Sequence, residues 1–379
     1  MIDPPDARLR ASIRRNLLRW FDRHGRDLPW RRGGADAYGR WVSEIMLQQT
    51  QVETVIPYFQ RFVRRFPDVR TLAAARQESV LRQWQGLGYY RRAIHLHRAA
   101  KAIVSNGREF PQTVDGWMAL PGIGRYTAGA IASTACGVRA GVVDGNVARV
   151  YSRLFDIHDD VTKPATMKRL WSIAEAAIPR RRCGDFNEAL MDLGATVCTP
   201  GVPRCDQCPL NGVCAARRRG TVDTLPNRGS TVRVREVRCV VAVVRRGDGY
   251  LLRRRPEGGL WGGLWEFPNV ESGGPGTRAT ALRGLLADCV VILAGTVANC
   301  GRVSHRLSHR LMQFDVYRVD ANGCGSDLPR DGRWRWVRRS ELGRVPISTA
   351  SRKMVRLVDA VEGEHAGHRD PGRMVDVPR

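Results

Sequence analysis

Cys198-Thr199-Pro200-Gly201-Val202-Pro203-Arg204-Cys205-Asp206-Gln207-Cys208-Pro209-Leu210-Asn211-Gly212-Val213-Cys214 sets four cysteines at gaps of six, two and five residues, and Arg217, Arg218 and Arg219 follow at once. Four thiolates can hold a tetrahedral zinc or a cubane 4Fe-4S cluster, and the spacing suits both. Four unrelated buried thiols are the plain alternative, but clustered cysteine in a protein of a reducing compartment points to metal or redox chemistry. Either group would take all four positions from the protein and leave none for a substrate. The loop therefore reads as a structural clip beside a phosphate-seeking surface, and catalysis must lie elsewhere.

On the N-terminal side of this loop, residues 8 to about 215 read as successive amphipathic helices, among them 41–51, 71–83, 91–105, 126–136 and 147–154. Their apolar positions recur at three- and four-residue intervals. The expected helical domain is 1–216. Residues 217–235 form a polar stretch containing Gly, Pro and Arg, the expected interdomain linker. Beyond it, runs at 238–244, 250–254, 311–319 and 334–337 read as strands, with one helix near 280–287, so a second domain over 236–361 is expected to be α+β. Residues 362–379 are polar and read as a frayed tail. There is no internal repeat.

A chain of 379 residues exceeds what one hydrophobic core supports, which agrees with two domains. Its formal charge of +25 and pI near 10.8 point to a polyanionic partner, nucleic acid first and an anionic membrane second. Arginine abundance inflates that charge, since only Lys101, Lys163, Lys168 and Lys353 are lysines. Residues 1–15 lack an apolar signal-like core, and no stretch approaches the ~18 apolar residues that a membrane span needs. A soluble cytoplasmic protein with no membrane partner is expected. The ten cysteines then read as four ligands and six scattered apolar thiols.

Three segments carry candidate chemistry for DNA. In Leu120-Pro121-Gly122-Ile123-Gly124-Arg125, two glycines let the backbone turn tightly and aim its amides outward at a helix N-terminus, where they can hold a phosphate oxygen. This is the physics of a helix-hairpin-helix, here expected over about 114–136. In Val143-Asp144-Gly145-Asn146-Val147, the acid caps an apolar helix, and backbone donors should keep it ionised. A second acid, Glu44, lies among apolar neighbours in Val42-Ser43-Glu44-Ile45-Met46-Leu47-Gln48-Gln49-Thr50. Burial there would raise its pKa and let it carry a proton near neutral pH. One protonated and one anionic carboxyl make the pair that glycosidic-bond cleavage requires.

Together the Glu44 segment, Leu120-Pro121-Gly122-Ile123-Gly124-Arg125-Tyr126-Thr127, the Asp144 segment and the cysteine loop resemble the A/G-specific adenine DNA glycosylases of the MutY type. The resemblance runs from about Leu28 to Cys214 and more weakly through the C-terminal domain. It implies an all-α helix-hairpin-helix glycosylase domain with a 4Fe-4S cluster on Cys198, Cys205, Cys208 and Cys214, followed by a Nudix-like domain. It also implies excision of adenine mispaired with 8-oxoguanine or guanine in double-stranded DNA, by a monomer in the cytoplasm, nucleoid-associated, with replication or repair proteins as possible partners.

By the same resemblance, Glu44 protonates adenine N7, Asp144 stabilises the C1′ oxocarbenium ion or attacks it, and Tyr126 and Asn146 orient the two. Trp30, Arg31 and Glu188 line the adenine pocket. Gln49, Thr50, Leu87, Tyr89, Gly122, Gly124 and Arg125 contact the opened duplex. Endonuclease III shares the hairpin, aspartate and cysteine loop but places a lysine in the hairpin for Schiff-base chemistry. This chain has Tyr126 there, so a monofunctional enzyme is expected over a pyrimidine-lesion glycosylase with strand cleavage. A catalytically silent DNA-binding protein is the remaining alternative. Gly262-Gly263-Leu264-Trp265-Glu266-Phe267-Pro268 carries the Nudix likeness, but an acid-rich magnesium helix is missing after it, so recognition rather than hydrolysis is implied. Leu307, Ser308 and His309 stand where the family presents a Phe-Ser-His loop to 8-oxoguanine, with an aliphatic residue replacing the aromatic one.

Overall fold

The computed structural model describes residues 6–32, 36–107, 109–229, 234–272, 278–288, 297–307, 309–321, 328 and 332–367. The chain divides into two compact units, one from Met1–Gln83 with Arg92–Thr231 and the other from Trp84–Arg91 with Val232–Arg379.

The first unit is helical: α1 (Ala7–His24), α2 (Ala37–Leu47), α3 (Val52–Arg65), α4 (Val69–Ala74), α5 (Gln77–Trp84), α6 (Arg91–Ser105), α7 (Val114–Met118), α8 (Arg125–Ala135), α9 (Gly145–Leu154), α10 (Pro164–Ala177), α11 (Cys183–Thr196) and α12 (Ala215–Arg219). Short polar side chains start many of them. Asp6, Asp36, Asp68, Thr113 and Asp144 each accept a backbone N–H of the first turn that has no partner within the helix. One core gathers Ile13 and Leu17 of α1, Val147 and Tyr151 of α9, Leu170 of α10 and Phe186 and Leu190 of α11. α11 packs on α1, α8 and α9, and is almost wholly buried.

Two helix boundaries depart from the expectation. The 71–83 segment is two helices, because Ala75 is extended and α5 restarts at Gln77. The break turns Leu72 and the Val80–Leu81 pair into the core, where all three are buried. α2 stops at Leu47 rather than at residue 51. The buried guanidinium of Arg92 donates to the carbonyls of Ile45 (3.1 Å), Met46 (2.7 Å) and Gln48, so the open end of α2 is closed by a side chain from α6.

The expected hairpin is present as α7, a turn and α8. Gly122 takes φ +79°, and a Cβ there would lie 2.6 Å from His95 Cβ, so the turn requires glycine on both counts.

The expected linker is not a free tether. Arg153 Nε donates to the carbonyls of Val222 (3.1 Å) and Leu225 (2.9 Å), Asn227 donates to His158 O (3.0 Å), and Arg219 pairs with Asp156. Residues 215–229 therefore belong to the helical unit. A buried guanidinium needs acceptors, and this stretch of backbone supplies them.

The second unit is α+β: strands β1 (Arg235–Arg246), β2 (Gly249–Arg254), β3 (Trp265–Glu266), β4 (Asn269–Glu271), β5 (Val297–Arg306), β6 (Arg310–Asp320) and β7 (Trp334–Arg338), with helices α13 (Arg278–Asp288) and α14 (Thr349–Gly367). The sheet order is β3-β2-β1-β6-β5, with β4 paired to β1 and β7 to β2. β1 and β6 run parallel at its centre, and the other pairings are antiparallel. Alternate residues of β1 feed opposite faces. Val237, Cys239, Val241 and Val243 meet Met354 and Val358 of α14, while Val240, Ala242 and Val244 meet Leu282, Leu285 and Leu286 of α13.

Sequence periodicity missed β5, an edge strand with a register shift at Asn299/Gly301, and α14. α14 continues to Gly367, so the frayed tail expected from 362 begins too early; residues 368–379 lie outside those described. Among the described residues no helix is long and apolar enough to cross a membrane.

Arg14 of α1 closes the C-terminus of α10 by donating to the carbonyls of Ala176 (2.9 Å), Ala177 (2.7 Å) and Ile178 (3.0 Å). Arg14→Met removes those donors and keeps the stem, and is expected to cost about 2 kcal/mol in denaturant unfolding of the full chain.

Candidate active site

Glu44 sits in the last turns of α2, on a helix whose Tyr38, Trp41, Val42, Ile45 and Met46 are buried. The residue keeps some contact with solvent, yet its Oε2 is buried and has no hydrogen-bond partner. Burial, and next the charge of Glu188, push its carboxyl up to about 7; the Tyr126 hydroxyl hydrogen-bonded to it and the nearby Arg40 pull the other way. Near neutral pH this acid is therefore able to carry a proton.

Asp144 faces the same space from the N-cap of α9. Val147 N–H donates to its Oδ1 at 2.7 Å, and Asn146 Nδ2 to its Oδ2 at 3.2 Å. The expectation is that these donors, with the helix dipole, keep it ionised. Burial outweighs them and raises the pKa, although the two backbone N–H groups, Arg149 and the Asn146 amide oppose the rise. The two acids still differ in kind. Donors surround Asp144, whereas Glu44 has an orphaned oxygen. Tyr126, on the first turn of α8, stays a phenol because burial drives its pKa well above the usual value, and its hydroxyl also lies 3.1 Å from Met191 Sδ.

Behind Glu44 lies a network of ions. Arg31 Nε donates to Glu188 Oε1 at 2.9 Å, and Arg40 binds the same oxygen. Arg31 also binds both oxygens of Asp192 (2.8 and 3.1 Å), which in addition accepts the backbone N–H (2.9 Å) and Nε (2.8 Å) of Arg26. Asp192 has no exposed side-chain surface, and these donors hold its carboxyl below the usual range against burial. Trp30 is buried edge-on against Phe59, with ring centroids 5.4 Å apart. Glu188, with Arg31 bound to it, thus adjoins Glu44, and Trp30 lies beside Arg31 in the chain. Sequence reading missed Arg26, Arg40, Met191 and Asp192. Helical spacing carries a signal for two of them, since Arg40 is four residues before Glu44 and Asp192 four after Glu188.

The cysteine loop connects to this site through Arg149. Its guanidinium donates to Cys198 O, Gly194 O and Asn146 Oδ1, each at 2.8 Å. Asn146 is thereby held with its amide toward Asp144. Gly194 allows the approach, for a Cβ there would lie 2.7 Å from Asn146 Cβ. Cys198, Cys205, Cys208 and Cys214 line one cavity with Arg153, Arg204 and Arg217, and Arg153 donates to Cys198 Sγ at 3.4 Å. Among the described residues, no three His, Cys, Asp or Glu side chains converge closely enough to hold a single metal ion.

The remaining expected residues divide. Gln49 is exposed at φ +57°, and Thr50 accepts from Arg92 at 3.0 Å. Gly124 is the N-cap of α8 with no side-chain cap, so the first amides of that helix are open. Arg125, expected to bind DNA, instead lies 4.0 Å over the Trp171 ring and pairs with Glu175. Leu87, expected at the duplex, is buried, whereas Tyr89 is 46% exposed. Leu307 packs against the β-sheet core and His309 is exposed at the turn between β5 and β6; Ser308 lies outside the described residues.

The HhH-GPD superfamily of base excision DNA repair proteins matches residues 42–176, and a NUDIX domain matches residues 239–357. The adenine DNA glycosylase of Homo sapiens is 36% identical over 92% of this chain and 74% of its own length, and that of Schizosaccharomyces pombe 34% identical over 91% and 88%. The solved structure of a thermostable thymine-DNA glycosylase is 27% identical, with a TM-score of 0.50 over 56% of this chain and 98% of that one. The helical unit brings two carboxyls of unlike environment to one space, and full-length relatives of one kind cover nine-tenths of the sequence: the chain belongs to the adenine DNA glycosylase family.

Proposed function

We propose that this enzyme removes adenine mispaired with 8-oxoguanine or guanine in duplex DNA, with Glu44 as general acid and Asp144 as the group that shelters the sugar cation. The observation that carries the reading is the contrast between the two carboxyls: one with a buried, orphaned oxygen, the other ringed by N–H donors. Adenine cannot be reached inside the stack, so the nucleotide swings out into the site. Glu44 donates its proton to N7, which draws electrons from the glycosidic bond and turns adenine into a neutral leaving group. Positive charge then grows at C1′, where Asp144 stabilises it. Asn146 holds Asp144 in place, and Tyr126 holds Glu44. The two guanidiniums on Glu188 both bind Oε1, which leaves Oε2 for the exocyclic amine of adenine.

Release of the base without strand cleavage follows from the hairpin. Tyr126 stands where Schiff-base chemistry needs an amine, and none of the four lysines falls in 114–136. The open amides of α8 take a backbone phosphate, with Gln49, Thr50 and exposed Tyr89 at the opened duplex. Leu307 and His309 meet the oxidised base. We place the protein in the cytoplasm at the nucleoid, in company with other replication or repair proteins.

The cysteine loop suits a 4Fe-4S cluster better than one zinc. Four thiolates can hold either group, and the four thiols share one cavity; the likeness of the chain to the adenine DNA glycosylases favours the cluster. The cluster would be a structural clip, holding Cys198 and, through Arg149, the acid pair's surroundings. Iron and acid-labile sulfide are expected in aerobically purified protein, with a brown absorption band. A colourless protein loaded with zinc would refute the cluster.

Glu44→Gln is expected to lower single-turnover adenine release by about 10²- to 10⁴-fold while duplex binding persists. In the parent, the acid must be protonated to act, so the rate should fall tenfold per unit as pH rises above about 7. Unchanged release by the Gln variant would remove Glu44 from the mechanism. Release of thymine glycol instead of adenine would transfer the chain to the pyrimidine-lesion enzymes.

A further inference from the structure

Arg228 lies near the end of the 215–229 stretch, where the backbone is pinned on both sides of it. Asn227 O accepts from the Val161 N–H at 3.0 Å, and Asn227 Nδ2 donates to His158 O at 3.0 Å. On the other side the Gly229 N–H donates to Asp160, and a Cβ at Gly229 would lie 2.5 Å from Asp160 Oδ2, so glycine lets the chain pass against that carboxylate. These anchors fix where the Arg228 side chain begins. The residue itself is exposed, and among the described residues none accepts a hydrogen bond from its guanidinium or pairs with it.

That guanidinium stands at the turn that carries Asp144. Its Nη2 lies 3.6 Å from the place that a Cβ of Gly145 would take, and Gly145 separates Asp144 from Asn146 and begins α9. A cation there sits at the positive end of the helix dipole, where it costs stability, and Arg149 adds like charge nearby. The neighbouring guanidiniums are already bound to protein. Arg149 is taken up by Cys198 O, Gly194 O and Asn146 Oδ1, Arg153 by the carbonyls of Val222, Leu225 and Thr199, and Arg219 by Asp156. Arg228 is held in place by its backbone, and its charge is open to an anion.

We propose that Arg228 binds a backbone phosphate of the extruded adenosine, which makes the 215–229 stretch part of the substrate site. The inference rests on the placement of the sugar at Asp144 proposed above. A sugar whose C1′ faces Asp144 carries a phosphodiester on its 5′ and on its 3′ oxygen, so a phosphate passes close to the turn that holds this acid. A guanidinium offers such a group two parallel N–H donors, and hydrogen bonds between opposite charges are the strong ones. The contact is the same before and during bond cleavage, so it strengthens binding of the extruded nucleotide rather than the chemical step. A matched duplex keeps its bases stacked and does not bring a phosphate to this turn.

The test is single-turnover adenine release by the full chain from an A:8-oxoguanine duplex, with enzyme concentration varied, for the parent, Arg228→Ala and Arg228→Gln. The series is repeated on duplexes in which the phosphate 5′ or 3′ of the target adenosine is replaced by a neutral methylphosphonate. Both variants are expected to raise the half-saturating concentration about tenfold, to make the salt dependence shallower by about one unit of slope, and to leave the saturated rate within about twofold. On one of the two modified duplexes the parent should already show that loss, and Arg228→Ala should add nothing to it. Losses that add on both modified duplexes, or neutral variants that saturate at the parent's concentration, would overturn the inference. So would an equal loss of affinity for a fully matched duplex in fluorescence anisotropy, which marks diffuse charge rather than a contact at the site. Asp144→Asn that releases adenine at the parent's rate would instead overturn the placement of the sugar, whatever the Arg228 variants do.

Discussion

A carboxyl that is buried without a donor will keep its proton, and keeping it costs the fold little as long as nothing nearby forces ionisation. Glu44 comes close to that condition within a site crowded with arginine: its Oε2 is buried without a donor, while the Tyr126 hydroxyl binds the carboxyl. Arg26, Arg31 and Arg40 are all bound to Glu188 and Asp192, which absorb their charge before it reaches Glu44 in full. The ion network behind the site is thus an insulator. It allows a strongly basic chain, at +25 overall, to maintain one neutral acid in the place where a polyanion must deliver its base.

The partner acid depends on the opposite arrangement. Asp144 is a helix cap, a position defined by the N–H groups that point at it, and Asn146 and Arg149 extend that set of donors toward the cysteine loop. The loop is far from the chemistry in role but adjoins it in hydrogen bonds, because Cys198 O accepts from the guanidinium that fixes Asn146. Gly194 is the condition for this connection, since any side chain there would push α11 away from Asn146. Truncating Arg149 would leave two buried carbonyls and an amide oxygen without a donor, so the geometry of Asp144 and the seating of Cys198 would be lost together.

Local chemistry was legible in the sequence, and distant pairing was not. The six-two-five spacing, the hairpin glycines and the cap at Asp144 each depend on residues within one turn or loop, and each is visible as a short pattern. Arg40 and Asp192 owe their importance to partners 148 and 161 residues away in the chain, so no window around them reveals it. The same limit applies to α2, whose end is set by Arg92, 46 residues on from Met46. It applies as well to the charge of Asp144, where the donors are local but the burial comes from the fold. Arg125 likewise has partners beyond its own window, the Trp171 ring and Glu175 of α10. β5 escaped notice because an edge strand with polar alternate residues has neither the apolar run nor the clean alternation that marks a strand.

The second unit holds its buried acids in ion pairs. Magnesium-dependent cleavage needs several carboxylates free to face a cation. α13 supplies one acid, Asp288, across its whole length. Glu266, next to the Gly262–Gly263 turn, is buried and bound by Arg253 and Arg255, and Asp315 on β6 is bound by Arg278 and Arg302. Arginine therefore neutralises these acids. Beside the β5–β6 turn, Leu307 is packed on the sheet core and His309 is exposed, so the two expected residues that the structure describes differ in their access to solvent.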